Sequence, residues 1–200
     1  MKRGPNQAMR KQHGTSMLEV LIAIVIVVVG LLGLAGLQTR ITLSEMESFQ
    51  RAQAIVITQD MVDRINANRR RGADYATATP LGTGVALVTD CAGTTATMAA
   101  RDLCEWSNAL LGAAETSGGG ASVGAMIGAR GCVTDLSDAT KPYKEYGVAV
   151  VWQGLNPTLA PGATTCGQGS YGNDATRRAI FTRVVVGCLQ NNPANPGLCI

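Results

Sequence analysis

Gly14-Thr15-Ser16-Met17-Leu18-Glu19, followed by an uninterrupted apolar run from Val20 to Leu37, decides how this chain is read. The stretch sets one carboxylate at the lip of a membrane-length helix. An ionised glutamate at the start of hydrocarbon is costly unless a partner or the interface takes it up, so Glu19 calls for a reason. Ahead of it a leader, Met1 to Gly14, carries Lys2, Arg3, Arg10 and Lys11 and no acidic residue, which holds it on the cytoplasmic side by the positive-inside rule. An ordinary secretory signal would be cut after the apolar run, yet Gly36-Leu37-Gln38-Thr39-Arg40 is a poor small-residue cleavage site. A cut is therefore expected before the apolar segment.

No proline occurs between Pro5 and Pro80, so Ser16 to about Asn68 reads as one helix, roughly 80 Å long at about 1.5 Å per residue. Residues 15–37 are the transmembrane and assembly helix. Within it Gly30, Gly33 and Gly36 recur at threefold spacing, which permits close helix approach or is the ordinary glycine content of membrane helices. Residues 38–72 form an amphipathic continuation in which Ile41, Phe49, Val56, Ile57, Met61 and Ile65 recur among charged residues, an apolar stripe expected to lie on a globular domain. Arg69, Arg70 and Arg71 with Gly72 are expected to end this helix.

Residues 73–200 then form the headpiece. Charged residues are 16%, aromatics 4% and Gly numbers 24, so it is loop-rich and short of large core side chains and needs staples. The six cysteines, Cys91, Cys104, Cys132, Cys166, Cys188 and Cys199, all lie beyond the apolar segment, which argues for disulfides in an oxidising compartment. No C-x-x-C spacing accompanies them, and the single histidine, His13, is in the leader, so no metal or other cofactor is expected. That same lone histidine excludes Ser-His-Asp and Cys-His catalysis from a mature chain, and Gly118-Gly119-Gly120 lacks the Lys-Ser/Thr of a phosphate loop; no enzyme is expected. The net charge of +3 owes much to the leader, which leaves no electrostatic footprint for nucleic acid.

Residues 73–99 have no clear period and read as loop. A short helix is expected over 99–111, where Leu103, Trp106, Leu110 and Leu111 share a face, and a flexible crossing over 115–124. Strands are expected at 131–134, 146–153 and 179–186. Trp106 and Trp152 read as core residues. Together these elements give an α+β fold.

Gly14, a new N-terminus at Thr15, Glu19 at the fifth mature position and the apolar run together resemble the class III signal of type IV pilins and type II secretion pseudopilins. The resemblance implies that a membrane prepilin peptidase cleaves between Gly14 and Thr15 and methylates Thr15, and that Glu19 is the assembly charge, pairing with a neighbour's terminal amine in a helix bundle. Where the family usually has Phe as first mature residue, this chain has Thr15. It implies a long N-terminal helix packed on a small antiparallel β-sheet headpiece of the type IV pilin kind. Leu18-Glu19-Val20-Leu21-Ile22-Ala23, Gly30-Leu31-Leu32-Gly33-Leu34-Ala35-Gly36-Leu37-Gln38, Arg101-Asp102-Leu103-Cys104-Glu105-Trp106, the run from Tyr146 to Gln153 and Arg177-Arg178 resemble the PilV-type minor pilins.

That likeness implies a minor pilin taking part in pilus assembly and tip priming, supporting twitching motility and attachment. Its implied partners are the prepilin peptidase, other minor pilins, the major pilin, the inner-membrane assembly platform and inner membrane lipid. Its implied location is a single pass in the bacterial inner membrane, with a periplasmic headpiece, and the pilus on the cell surface. A minor pseudopilin of a type II secretion system and a pilus-borne adhesin are the alternatives. The turn-rich loop of Asn191, Asn192, Pro193, Asn195, Pro196 and Gly197 favours Cys188 with Cys199, much like the C-terminal disulfide loop of many pilins. Cys91 with Cys104 comes next, leaving Cys132 with Cys166, and other connectivities stay open.

Overall fold

The computed structural model describes residues 16–94, 96–113, 118, 126–187, 191–192 and 195–199. The chain divides into two compact units, one running through Ser44 and one beginning at Glu45. Helix α1, Ser16–Ala67, contributes to both. Its part in the first unit is exposed all round and, from Val20 to Leu37, apolar all round, and α1 is long and apolar enough to cross a membrane.

In the second unit α1 buries Gln50, Ala54, Ile57, Thr58, Met61, Val62 and Ile65, which recur every three or four residues and so form one stripe. Ile57, Met61 and Ile65 of the expected stripe are in it. Ile41, Phe49 and Val56 are not: they are 47%, 60% and 63% exposed. Phe49 and Val56 are seven residues apart, and both point away from the sheet. Helix α1 stops at Ala67, ahead of the arginine triplet, and Arg69–Tyr75 form a 3-10 segment distorted at Arg71. Gly72 is no exit turn. It is small because a Cβ there would come within 2.8 Å of the Tyr146 ring.

The stretch expected as loop holds a two-residue strand β1, Leu81–Gly82, and a short helix α2, Cys91–Thr94. Helix α3, Met98–Leu110, starts at Thr97, whose hydroxyl accepts from the Ala100 amide at 3.1 Å as an N-cap. It buries Trp106 and Leu110, and the Trp106 indole Nε1 donates to the Ile57 carbonyl of α1 at 2.9 Å. Gly131 is where this helix and the sheet meet most closely, for a Cβ there would collide with the Trp106 ring and with Leu110.

Strands β2 (Arg130–Asp135), β3 (Tyr143–Gln153) and β4 (Arg177–Gly187) pair antiparallel, giving a sheet of order β1-β2-β3-β4. A separate antiparallel pair joins β5 (Asn191–Asn192) to β6 (Asn195–Cys199). On β3 the alternation of Tyr146, Val148, Val150 and Trp152 faces the core shared with Ile57, Met61, Ile65 and Trp106. Ala149 and Val151, on the other face, are buried too, packed with Cys166 and Tyr171 of the long β3–β4 loop. That loop is held down where the Tyr171 hydroxyl donates to the Gly128 carbonyl at 2.8 Å. The second unit is therefore layered, with α1 and α3 on one side of the sheet and a loop on the other. Of the crossing expected over 115–124, all but Gly118 lies outside the described residues.

Candidate assembly interface

Glu19 lies in the first turn of α1, where a carboxylate is favoured by the helix dipole, and it makes no ion pair among the described residues. From Leu18 to Leu37 every large side chain on α1 is exposed, and Cβ positions built at Gly30, Gly33 and Gly36 meet open space. Such a surface cannot remain in water: it is covered by lipid or by other helices. The first hydroxyls beyond it are satisfied within the helix, Thr39 donating to the Ala35 carbonyl at 3.2 Å and Thr42 to Gln38 at 3.1 Å. Gly14 and Thr15 lie outside the described residues.

In the second unit, charge locks the helices together. Arg64 of α1 donates from Nε to Asp60 at 3.0 Å and from Nη1 to Asp102 at 3.0 Å and Glu105 at 2.7 Å, both on α3. Burial lowers the Arg64 pKa, but the bonds to Glu105, Asp60 and Asp102 outweigh it and the net shift is upward. The Tyr75 hydroxyl donates to the other Asp102 oxygen and accepts from Asn68 Nδ2. One carboxylate thus ties α1, α3 and the 3-10 segment. Burial, with the bond to Asp102, pushes the Tyr75 phenol up to about 12.

Arg177 and Arg178 open β4 on opposite faces of the sheet. Arg177, 1% exposed, bonds Asp174 and the carbonyls of Thr164, Cys166 and Pro161. The Arg177 guanidinium holds the Asp174 carboxyl below its ordinary value. Arg178 bonds the Asn156 carbonyl, the Thr158 hydroxyl and Glu47 of α1. Disulfides join Cys91 to Cys104, with Cα atoms 5.7 Å apart, and Cys132 to Cys166, 5.9 Å apart. Cys188 and the Cys199 side chain lie outside the described residues, as does that pairing.

The model of the prokaryotic N-terminal methylation motif matches residues 9–35, and the family model described as type IV pilin Tt1218 matches residues 36–104. The chain is type IV pilin-like. The first match takes in Gly14, Thr15, Glu19 and most of the exposed apolar helix; the second continues from Gly36 into the first half of α3 and ends at Cys104, so that it takes in both cysteines of the Cys91–Cys104 bridge. No curated protein and no solved structure matches the chain. The methylation motif implies processing by a prepilin peptidase and assembly into a pilus. A long apolar helix and a four-stranded antiparallel sheet are the α+β pilin fold.

Sequence reasoning did not single out Arg64, Asp60, Asp102, Glu105 and Tyr75 as a unit in this pilin-like chain. Arg64 and Asp60 were legible as an i,i+4 pair, but Asp102 and Glu105 lie 38 and 41 positions from Arg64, and only the fold brings them together.

Proposed function

We propose that the chain is a minor pilin of a type IV pilus, cleaved between Gly14 and Thr15, methylated at Thr15 and incorporated with partner pilins in a tip or priming complex. The observation that carries this reading is a methylation-type N-terminus running into an exposed apolar helix with a lone acid, Glu19, in its first turn. In the inner membrane the apolar helix sits in lipid as a single pass. On assembly it enters a bundle of like helices, where the Glu19 carboxylate meets the terminal amine of a neighbour, and each ion satisfies the other where water is scarce. The assembly platform, the major pilin and other minor pilins are the partners this requires. Two disulfides support a periplasmic and surface location for the headpiece. Pilus-dependent twitching and attachment are the expected phenotypes.

The test is N-terminal sequencing and intact mass of the chain recovered from sheared pili. A start at Thr15, carrying a methyl group, is expected. Met1 retained in filaments, or normal piliation in a deletion strain that instead fails to secrete its exoproteins, overturns the reading.

A further inference from the structure

Arg177 shapes the β3–β4 loop from inside it. The residue is 1% exposed, and each N–H group of its guanidinium is used. Nε and Nη2 hold the two Asp174 oxygens at 2.7 and 2.9 Å. Nη1 donates to the carbonyls of Thr164 and Cys166 at 2.9 and 3.1 Å, and Nη2 to that of Pro161 at 3.2 Å. One buried cation thus gathers a run of loop that has no helix or strand of its own. A buried charge is tolerated only when fully bonded, so the loop closes round it as a unit.

One of the carbonyls in this hook belongs to Cys166. Its amide is bonded too, donating to Thr164 Oγ1 at 3.1 Å. Gly167, which follows, has φ +62° and lies so close to β3 that a Cβ would come within 2.8 Å of Val151 Cγ2. The Tyr171 hydroxyl then donates to the Val151 carbonyl at 3.3 Å. The backbone of Cys166 is therefore seated by contacts that do not involve its sulfur. Its partner is seated as well. Cys132 pairs with Ala149 and Arg177 with Gln153, so β3 places both on the face of the sheet that the loop covers.

We infer that Arg177 is the positioning residue for oxidation of the headpiece: it brings Cys166 to Cys132 ahead of the covalent bond and so selects that pairing among the six cysteines. Cys132 is half-buried and Cys166 6% exposed, so Cys132 is the thiol that an oxidant reaches. Its thiolate attacks the disulfide of a protein oxidant, releasing one oxidant sulfur and leaving a mixed disulfide. The Cys166 thiolate, already beside it, attacks the Cys132 sulfur and expels the other. The chain gives up two electrons, the two thiol protons end on the oxidant's sulfurs, and the oxidant leaves as a dithiol. The Cys91–Cys104 bridge, built on α2 and α3 rather than on the loop, is the internal control.

The test uses the full-length chain in its own host, with thiols trapped by acid and alkylation and the bridges mapped by non-reducing mass spectrometry. The wild type should yield the Cys132–Cys166 peptide. Arg177→Met keeps a long side chain in place and removes every donor. In that variant Cys91–Cys104 should survive while Cys132 is shared among Cys166, Cys188 and Cys199, so the native peptide falls towards about one third of its yield. An unchanged yield overturns the assignment. So does equal loss of both bridges, which would make Arg177 a support of the whole fold. A second measurement keeps the arginine and removes the bridge. In the chain carrying Cys132→Ser with Cys166→Ser, amide hydrogen exchange over 161–176 should stay as slow as in the wild type. Rapid exchange there would mean that the bridge holds the loop, and the order proposed would be wrong.

Discussion

Asp102 is the residue whose chemistry is felt furthest. A carboxylate that is 8% exposed survives because Arg64 and the Tyr75 hydroxyl take one oxygen each. The pH dependence follows from Tyr75. Its folded pKa, about 12, lies above the ordinary 10.0, so the folded state holds the phenolic proton more tightly than the unfolded chain. That contribution to stability is fully present below pH 10 and is lost as pH rises through about 12. Thermal melts across this window should show the wild-type chain weakening, and Tyr75→Phe should flatten the dependence. A remainder is expected from Tyr146 and Tyr171, which burial also pushes upward. If Tyr75→Phe keeps the full slope, the proton is not held there. At neutral pH the same variant should cost about 1–2 kcal/mol, because Asp102 loses a donor in a buried place.

At the scale of elements, α1 divides its apolar residues between two jobs. Met61→Ala should cost about 2–4 kcal/mol, since the side chain is fully buried among Trp106 and the sheet. Phe49→Ala should change the melting temperature little and act, if anywhere, on association. Equal destabilisation by both would mean that the stripe has been misplaced. The sequence could not separate these residues: Phe49, Val56 and Ile57 fall within two turns, and only the neighbouring Ala54 and Thr58, which fill the stripe with small side chains, tell which face meets the sheet. The strands were legible because β3 alternates cleanly, but the burial of its second face was not, since the residues that cover it, Cys166 and Tyr171, come from a loop with no period of its own. β1 was invisible for a simpler reason: two residues carry no pattern. At the assembly end the opposite holds. Glu19 ahead of a long apolar run is unusual enough to be read directly, because the cost of a charge in hydrocarbon does not depend on the fold of anything else.

For the whole molecule, assembly and stability are separable. Glu19→Ala changes an exposed side chain of the first unit and leaves the core of the second unaltered, so its thermal melt should match the wild type and its processing should persist. Its recovery in sheared pili should fall at least about tenfold if the ion pair with a neighbour is worth the roughly 1.5–3 kcal/mol of a charged hydrogen bond. Wild-type recovery would show the charge to be dispensable.

A filament transmits tension, and the two bridges among the described residues limit how far a yielding subunit can stretch. Cys132 and Cys166 enclose a separation of 34 residues, and Cys91 and Cys104 one of 13. At about 3.4 Å per extended residue these rings withhold roughly 115 Å and 45 Å of contour length. A chain pulled by its ends in an optical trap should lengthen on unfolding by about 160 Å more once these bridges are reduced; an unchanged extension would mean they were never closed. The β2–β3 hairpin from Cys132 onward lies within the larger ring, so an oxidised subunit that peels open under load gives up little slack and keeps its strands close enough to zip back when the load falls.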